Sequence, residues 1–402
     1  MEEVLTQTKF DILRTGLRPT ALNISDALKE KANNVLNYSD FPTRKNEAWK
    51  YTNVNGLNKL VFDGKNIPIS EPFTIANRSK KIHITNGQVS ESQSAIPGVK
   101  TSWDVLPEFF TDDPFDALNA LYCTSAIQVE FDDSVNETIE LIFENTANSA
   151  IFPRLFIQCN KGAKGTVILN FQGAEQNASF INVSTYVNVG ENANLSIHKI
   201  QKNGADTFDL QREYVDQAAN STFTMNTFPL SGRLTRNDLK INVNGNNCET
   251  FMNGAYTLKG KSHCDNHTTV DHKVAHCYSK ELYKGVIDDR ATNVFNGKVF
   301  VRKDAQKINA FQSNANILLS DTGTVNSKPE LEIYADDVKC SHGSTTGQLD
   351  DEAVFYLRSR GLSEKAAKEL LVKAFLGEVL EEVENEEVKS YVEAQIEKHF
   401  SA

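Results

Sequence analysis

The 402-residue sequence predicts a mainly β protein, one long β core with helical regions before and after it. Three observations predict this. From about residue 125 the apolar spacing becomes two, Gly and Asn separate the short apolar runs, and after Gly347 the spacing reverts to that of amphipathic helices. The chain therefore divides into a mostly helical region over 1–124, a β core over 125–347 and a helical region over 348–402.

In the first region Ser25 reads as an N-cap, with Asp26 in the first turn and a stripe of Leu28, Ala32, Val35 and Leu36. The basic, aromatic segment 41–52, from Phe41-Pro42-Thr43-Arg44 to Trp49-Lys50-Tyr51-Thr52, reads as a packed helix anchored by Trp49. Asp113-Pro114, a cap followed by a first-turn proline, opens a helix carrying Phe115, Leu118 and Leu121.

The core then alternates. Ile139, Leu141 and Phe143 are followed by Leu155, Ile157 and Cys159, by Val167, Leu169 and Phe171, and by Ile181, Val183, Val187 and Val189. Leu195 with Ile197, then Leu239, Ile241 and Val243, continue the pattern, with turns at Gly162, Gly173, Gly190, Gly204, Gly245 and Gly254. A sandwich, a barrel and a solenoid all fit such runs. Their recurrence leans toward stacked coils, although no strict repeat is readable.

Beyond the core, a helix over 350–358 stops at Gly361 as C′, and Ser363 caps the next. Its apolar stripe is Ala366, Ala367, Leu370, Leu371, Ala374 and Phe375. An acidic run from Glu378 to Glu387 reads as a solvated face, and a last helix carries Val388, Tyr391, Val392 and Ile396. Such a tail must cover the β core, pair within itself or offer a groove to a partner.

Composition excludes several function classes. A net charge of −11 and a sequence pI near 5.3 argue against a nucleic-acid or anionic-membrane surface, and no apolar run is long enough to span a bilayer. Residues 1–5 lack the basic and apolar parts of a secretory leader. Six cysteines (123, 159, 248, 264, 277 and 340) in so long a chain are no disulfide framework, so a reduced, cytoplasmic protein is expected.

Three constellations could carry chemistry. Between Gly254 and Gly260 lie five residues where a phosphate loop has four, and no βαβ context surrounds them, so nucleotide hydrolysis by this chain is rejected. His263, Cys264, His267, His272, His276 and Cys277 are all metal-ligand types, but their spacing matches no compact motif. In extended structure His263 shares a face with His267, and His272 with His276, which reads as polar rows on a β surface. A stand-alone metal-dependent or thiol enzyme using this segment is the alternative function. The third constellation is Cys340 and His342, two residues apart and therefore on one face of a strand. A hydrolytic dyad there lacks a third, orienting residue, and two ligands cannot fill a metal's shell, so further ligands would come from another subunit.

The residues around that pair carry a resemblance. Asp271-His272 through Leu282-Tyr283-Lys284-Gly285-Val286, Asn296-Gly297-Lys298, Asp304-Ala305-Gln306-Lys307 and Lys328-Pro329-Glu330-Leu331-Glu332-Ile333 resemble the SufB/SufD family of iron–sulfur cluster assembly proteins. Asp336-Asp337-Val338-Lys339-Cys340-Ser341-His342-Gly343, Phe355-Tyr356-Leu357-Arg358-Ser359-Arg360-Gly361 and the two amino-terminal motifs do so as well. The likeness is continuous from about 265 to 380 and thin between about 55 and 260. Length and Cys-Ser-His-Gly point to the shorter, SufD branch.

The resemblance implies a right-handed parallel β-helix between helical ends. It also implies a non-catalytic scaffold subunit that pairs with a SufB-like chain and docks a SufC-like ABC-type ATPase, or forms a homodimer in isolation. His342, with Cys340 beside it, would sit at the interface where a transient iron–sulfur cluster forms, the two serving as metal ligands shared with the partner. Leu370, Leu371, Ala374 and Phe375 would dock the ATPase. Flavin would belong to the complex, with no residue of this chain identifying it. The main sulfur-accepting cysteine belongs to SufB, so Cys264 and Cys277 take no persulfide role.

Overall fold

The computed structural model describes residues 8–18, 22–64, 69, 73–89, 96–101, 106–132, 137–175 and 178–401. Residues 1–5, read above for a leader, lie outside them. The alternating region folds as a parallel β-solenoid of about eight turns. Strand pairing selects this architecture among the three that fit the pattern. Phe208–Gln217, for example, pairs in parallel with Phe180–Val189 and Leu234–Val243, each one coil away, rather than with a hairpin neighbour. Because the pairing is in register, inward side chains of successive coils stack into columns along the solenoid axis. Phe143 over Phe171, with ring centroids 4.4 Å apart, is one such stack. The corners recur at Asn192, Asn220 and Asn247 (φ 59°, 56° and 57°), a left-handed conformation that asparagine tolerates better than other side chains.

The two ends of the solenoid differ. At the amino-terminal end, short antiparallel strands close both sheets: Gln88–Val89 lies on Lys80–Thr85, and Val99–Lys100 lies on Ser125–Phe131. At the other end, Thr324–Ile333 and Val338–Gln348 each have a strand neighbour on one side only among the described residues.

Each sheet's outer face is covered by one helical region. Over one lie Lys9–Thr15, Asp26–Asn37 and Pro114–Tyr122, with Ser25 Oγ accepting from Leu28 N (3.1 Å) and Asp113 Oδ1 from Phe115 N (2.9 Å). The helix expected over 41–52 is instead an irregular strap with a single 3-10 turn, Glu47–Trp49. Its cause is local: the Asn46 side chain accepts from Thr43 N (2.9 Å), which draws the backbone into a tight turn after Pro42. Trp49 still anchors the strap, packed against Phe115 and under the Arg236 guanidinium, 3.9 Å from its ring centroid.

Of the tail helices, Glu364–Leu380 and Glu386–Ser401 cover the opposite sheet, and Asp351–Ser359 packs against Glu364–Leu380. Val372, Leu376, Val379, Val388, Val392 and Ile396 bury themselves against Ile168, Ile200, Phe228, Ala255, Leu282 and Val286. The buried face of Glu364–Leu380 is thus rotated from the stripe expected. Ala367 is buried, but Leu370 and Ala374 face outward, and Leu371 and Phe375 are half-buried. With apolar residues also at 372, 376, 379 and 380, this helix has two usable faces, and the sheet took the broader one.

The acidic run is solvated as expected, with Glu378, Glu381, Glu384 and Glu386 exposed, and three of its glutamates also reach back to the solenoid side. Glu378 pairs with Lys284, Glu382 with Lys280 (2.7 Å), and Glu387 accepts from Asn77 N (2.9 Å). A buried aliphatic side chain contributes about 1.5–3 kcal/mol, against about 0–1 kcal/mol for an exposed ion pair. The apolar seam therefore holds the tail, and the glutamates fix its position.

Candidate functional site

The bare end of the solenoid is built by Val338–Gln348. Its register on Ile308–Leu318 aligns Cys340 with Ala310 and His342 with Gln312. Both partners on Ile308–Leu318 are buried residues of the solenoid interior, so Cys340 and His342 project from the same, inward-facing side of the strand. With a rise of about 3.3 Å per residue, their Cα atoms lie about 6.6 Å apart. Among the described residues no further coil lies over them, so His342 is exposed and Cys340 half-buried. Burial pushes the Cys340 thiol up from its usual range, opposed by a backbone hydrogen bond from Ala310. The thiol is thus protonated near neutrality, which speaks against a hydrolytic nucleophile.

Beneath this pair the interior is polar. The column through His342 reads Ile197, Met225, Met252, Glu281, Gln312, His342. Glu281 is buried and accepts from Thr268 Oγ1 (2.5 Å) and Gln312 Nε2 (2.6 Å). Burial raises its pKa to about 7, against those two hydrogen bonds, because no cation offsets the desolvation. Gln312 crosses toward Gly297, where an added Cβ would overlap its amide, and its Oε1 has no hydrogen-bond partner. Ser344 Oγ donates to Ser327 Oγ (2.7 Å), which donates to Asn314 Oδ1 (2.9 Å), and Asn316 Nδ2 reaches the same oxygen (2.8 Å). The last coils thus bring a hydrogen-bonded polar interior out to an unpaired edge. Sequence reasoning missed Glu281 and Gln312. Their signal was inward placement at a period of two within otherwise core-facing strands.

The histidine-rich segment is not brought together. His263 and His267 do share the outer face of His263–His272, as the alternation predicts. There they join the seam to the strap: His263 Nε2 lies 2.9 Å from Thr52 Oγ1, and His267 Nε2 lies 2.9 Å from Asp265. Asp265 also pairs with Arg236 and accepts from Thr52 Oγ1 (2.5 Å). Burial works to raise its pKa, but the Arg236 guanidinium and His267 hold it far below the usual range.

His272 and His276 do not share a face. The strand ends at His272, which is buried inside with Nε2 3.0 Å from Ser279 Oγ, while His276 sits in the following turn at φ 64°. Burial alone depresses His272 to about 4 and keeps it neutral. Cys264 points inward, where burial raises its thiol, and Cys277 is buried in a corner facing Gly245 O (3.4 Å). Among the described residues no three His, Cys, Asp or Glu side chains converge to hold a metal ion. All six cysteines are free thiols.

Residues 142–375 match the family model described as "SUF system FeS cluster assembly, SufBD core domain". The chain belongs to the SufBD family. It is 28% identical to the iron–sulfur cluster assembly protein SufD of Escherichia coli over 374 residues, 88% of each chain. A SufBD family protein of Synechocystis is 28% identical over 392 residues, covering 88% of this chain and 86% of that one. One from Mycobacterium leprae is 27% identical over 368 residues, covering 89% and 90%. The match to the SufBD core spans the solenoid from its fifth described strand into the helix Glu364–Leu380, and so includes Cys340, His342 and the polar column below them. It starts after the amino-terminal helices. No helix of the described residues is long and apolar enough to cross a membrane.

Proposed function

We propose that this chain is a non-catalytic scaffold subunit of an iron–sulfur cluster assembly complex. In it, the bare end of the solenoid meets a SufB-like subunit and the tail helices dock a SufC-type ABC ATPase. The observation that carries the reading is the bare end itself. It combines unpaired strand edges, a thiol and an imidazole on one inward face, and, among the described residues, no cluster of three ligand side chains.

An unpaired strand edge of this length is a template for pairing with another chain, and coverage by a partner is its natural remedy. Two soft or borderline ligands that leave a coordination shell unfilled suit a cluster that is cargo, held briefly and completed from across the interface. A homodimer closed through the same edge is the state expected of the isolated chain. Flavin, if the complex holds it, is assigned to no residue here.

For the ATPase, the outward residues of Glu364–Leu380 are the docking face. Leu370 is 47% exposed although the helix is otherwise seated on the sheet. Leu371 flanks it, half-buried, and Ala374 lies one turn on. Phe375 contributes at the edge only, since the Lys284 ammonium lies over its ring at 4.6 Å.

The test is reconstitution of the complex with a SufB-like partner and its ATPase, with cluster formation followed by absorbance. His342→Ala should leave assembly of the subunits intact and lower cluster yield by about tenfold or more. Undiminished yield with all partners present would remove His342 from the site. Failure of the wild-type chain to co-purify with either partner would overturn the scaffold reading as a whole.

A further inference from the structure

We infer that the cleft between the amino-terminal strap and the solenoid wall binds a small diphosphate ester, a molecule of nucleoside-diphosphate size. This goes beyond the scaffold role and involves neither Cys340 nor His342.

The floor of the cleft is one in-register row, Phe208, Leu234, His263, Thr292 and Thr324, the first residues of five successive parallel strands. At about 4.8 Å per rung the row runs about 19 Å along the solenoid axis. The turns that lead into two of these strands supply Arg233 and Lys261 on one side, and the strap supplies Arg44, Lys50 and Tyr51 on the other. Gly56 seats the strap's continuation directly on the Phe208 ring, where an added Cβ would lie 2.5 Å from Cζ. The cleft is open to solvent and has a volume of about 820 Å³, in the range of sites for small organic ligands.

Charge is the observation that points to a ligand. Acidic residues outnumber basic ones in this chain by 53 to 42, yet four permanent cations line the cleft and no Asp or Glu does. Among the described residues Arg44, Arg233 and Lys261 have no carboxylate partner. Lys50 is influenced by Glu47 next door, whose carboxylate is itself bound to Lys328 (2.8 Å). Like charges facing one another across a groove repel, and an anion between them removes that repulsion.

Two guanidinium forks and two ammoniums from opposite walls suit a group with several anionic oxygens rather than a single carboxylate. The Thr292 and Thr324 hydroxyls and the Asn53 and Asn326 amides add neutral partners along the floor and rim. Tyr51, 42% exposed and with the Lys50 ammonium 5.4 Å from its ring centroid, offers its remaining ring surface to a base or other flat group. A diphosphate ester with a planar substituent uses all of these.

The experiment is calorimetric titration of the full chain with inorganic pyrophosphate and with ADP at low ionic strength, folding of each variant being checked by thermal melting. The expected result is one saturable site for each. Arg233→Gln combined with Lys261→Gln should weaken both by about tenfold or more, as loss of charge-assisted bonds requires. Tyr51→Ala should weaken ADP and spare pyrophosphate. Lys398→Gln, an exposed lysine on the tail, should change neither. Absence of saturable binding, or equal loss in Lys398→Gln, would overturn the proposal as general ionic attraction. Binding of polyglutamate in preference to ADP would overturn it in favour of an acidic peptide.

Discussion

The two ends of the solenoid use the same strand geometry and opposite chemistry. At the closed end the interior is aliphatic and aromatic: Ile82, Ile84, Ile127, Val129, Phe131, Phe143 and Phe171 fill it, and two antiparallel strands seal the edges. At the bare end Ile308, Ala310, Val338 and Cys340 share the inward side with Gln312, Asn314, Asn316, His342 and Ser344, and nothing seals them among the described residues. One column makes the change within itself, from Ile197 and the two methionines to Glu281, Gln312 and His342. An apolar interior can end only under a lid, because exposed apolar columns cost free energy in water. A polar interior can end at the surface and still be satisfied when a partner arrives. The closed end is thus sealed within the chain, and the bare end carries the polar edge on which the proposed partner interface rests.

The largest effect that would break this comparison is in stability. Phe171→Ala, deep in the closed half and stacked on Phe143, should cost about 3–5 kcal/mol in urea unfolding, from lost burial and the cavity left behind. Cys340→Ala at the bare end should cost less than about 1 kcal/mol. Similar costs would show that the bare end is as tightly packed as the closed one.

Glu281 sharpens the comparison through pH. Its folded pKa, about 7, lies above that of a free glutamate, so the folded state holds a proton that the unfolded state has released between about pH 4.5 and 7. Its contribution is present in full below the unfolded pKa and is lost as pH rises through the folded one. Glu281→Gln should therefore raise stability at pH 8 by on the order of 2 kcal/mol, with the gain fading toward pH 5. Gln312 can turn its unpartnered Oε1 toward the new amide. Equal stability differences at pH 5 and pH 8 would mean that the carboxyl is already ionised in the fold.

The smallest stability effects belong to the surfaces assigned to partners. His342→Ala and Leu370→Asp should each change unfolding free energy by less than about 0.5 kcal/mol, as exposed positions do. Leu370→Asp should nonetheless weaken ATPase binding measurably in a pull-down. A large drop in melting temperature for either variant would place that residue in the fold rather than on a partner face.

Much of this was legible in the sequence because it is local. Ser25, Asp113, Asp350 and Ser363 cap their helices through side chains within three residues, and Gly361 ends one at φ 98°. Cys340 and His342 share a face because alternation leaves no other outcome. The helix expected over 41–52 failed on a local turn that went unread, and the other failures needed a distant neighbour. Asn46 bent the strap locally, but where Trp49 finally lay depended on Arg236, nearly two hundred residues away. The tail helix had two apolar faces, and its sequence could not say which one the sheet would take. His272 and His276 parted because a corner fell between them, a property of coil length rather than of either residue.

By itself, then, the sequence determined the period, the caps, the turns and the side of the strand on which the candidate ligands stand, since each depends on residues a few positions apart. The tertiary structure decided which strands pair, which end stays bare, and that Glu281 and Gln312 lie beneath His342. Those depend on register between coils about thirty residues apart. The same alternation would also fit a sandwich or a barrel, so only the pairing could decide them.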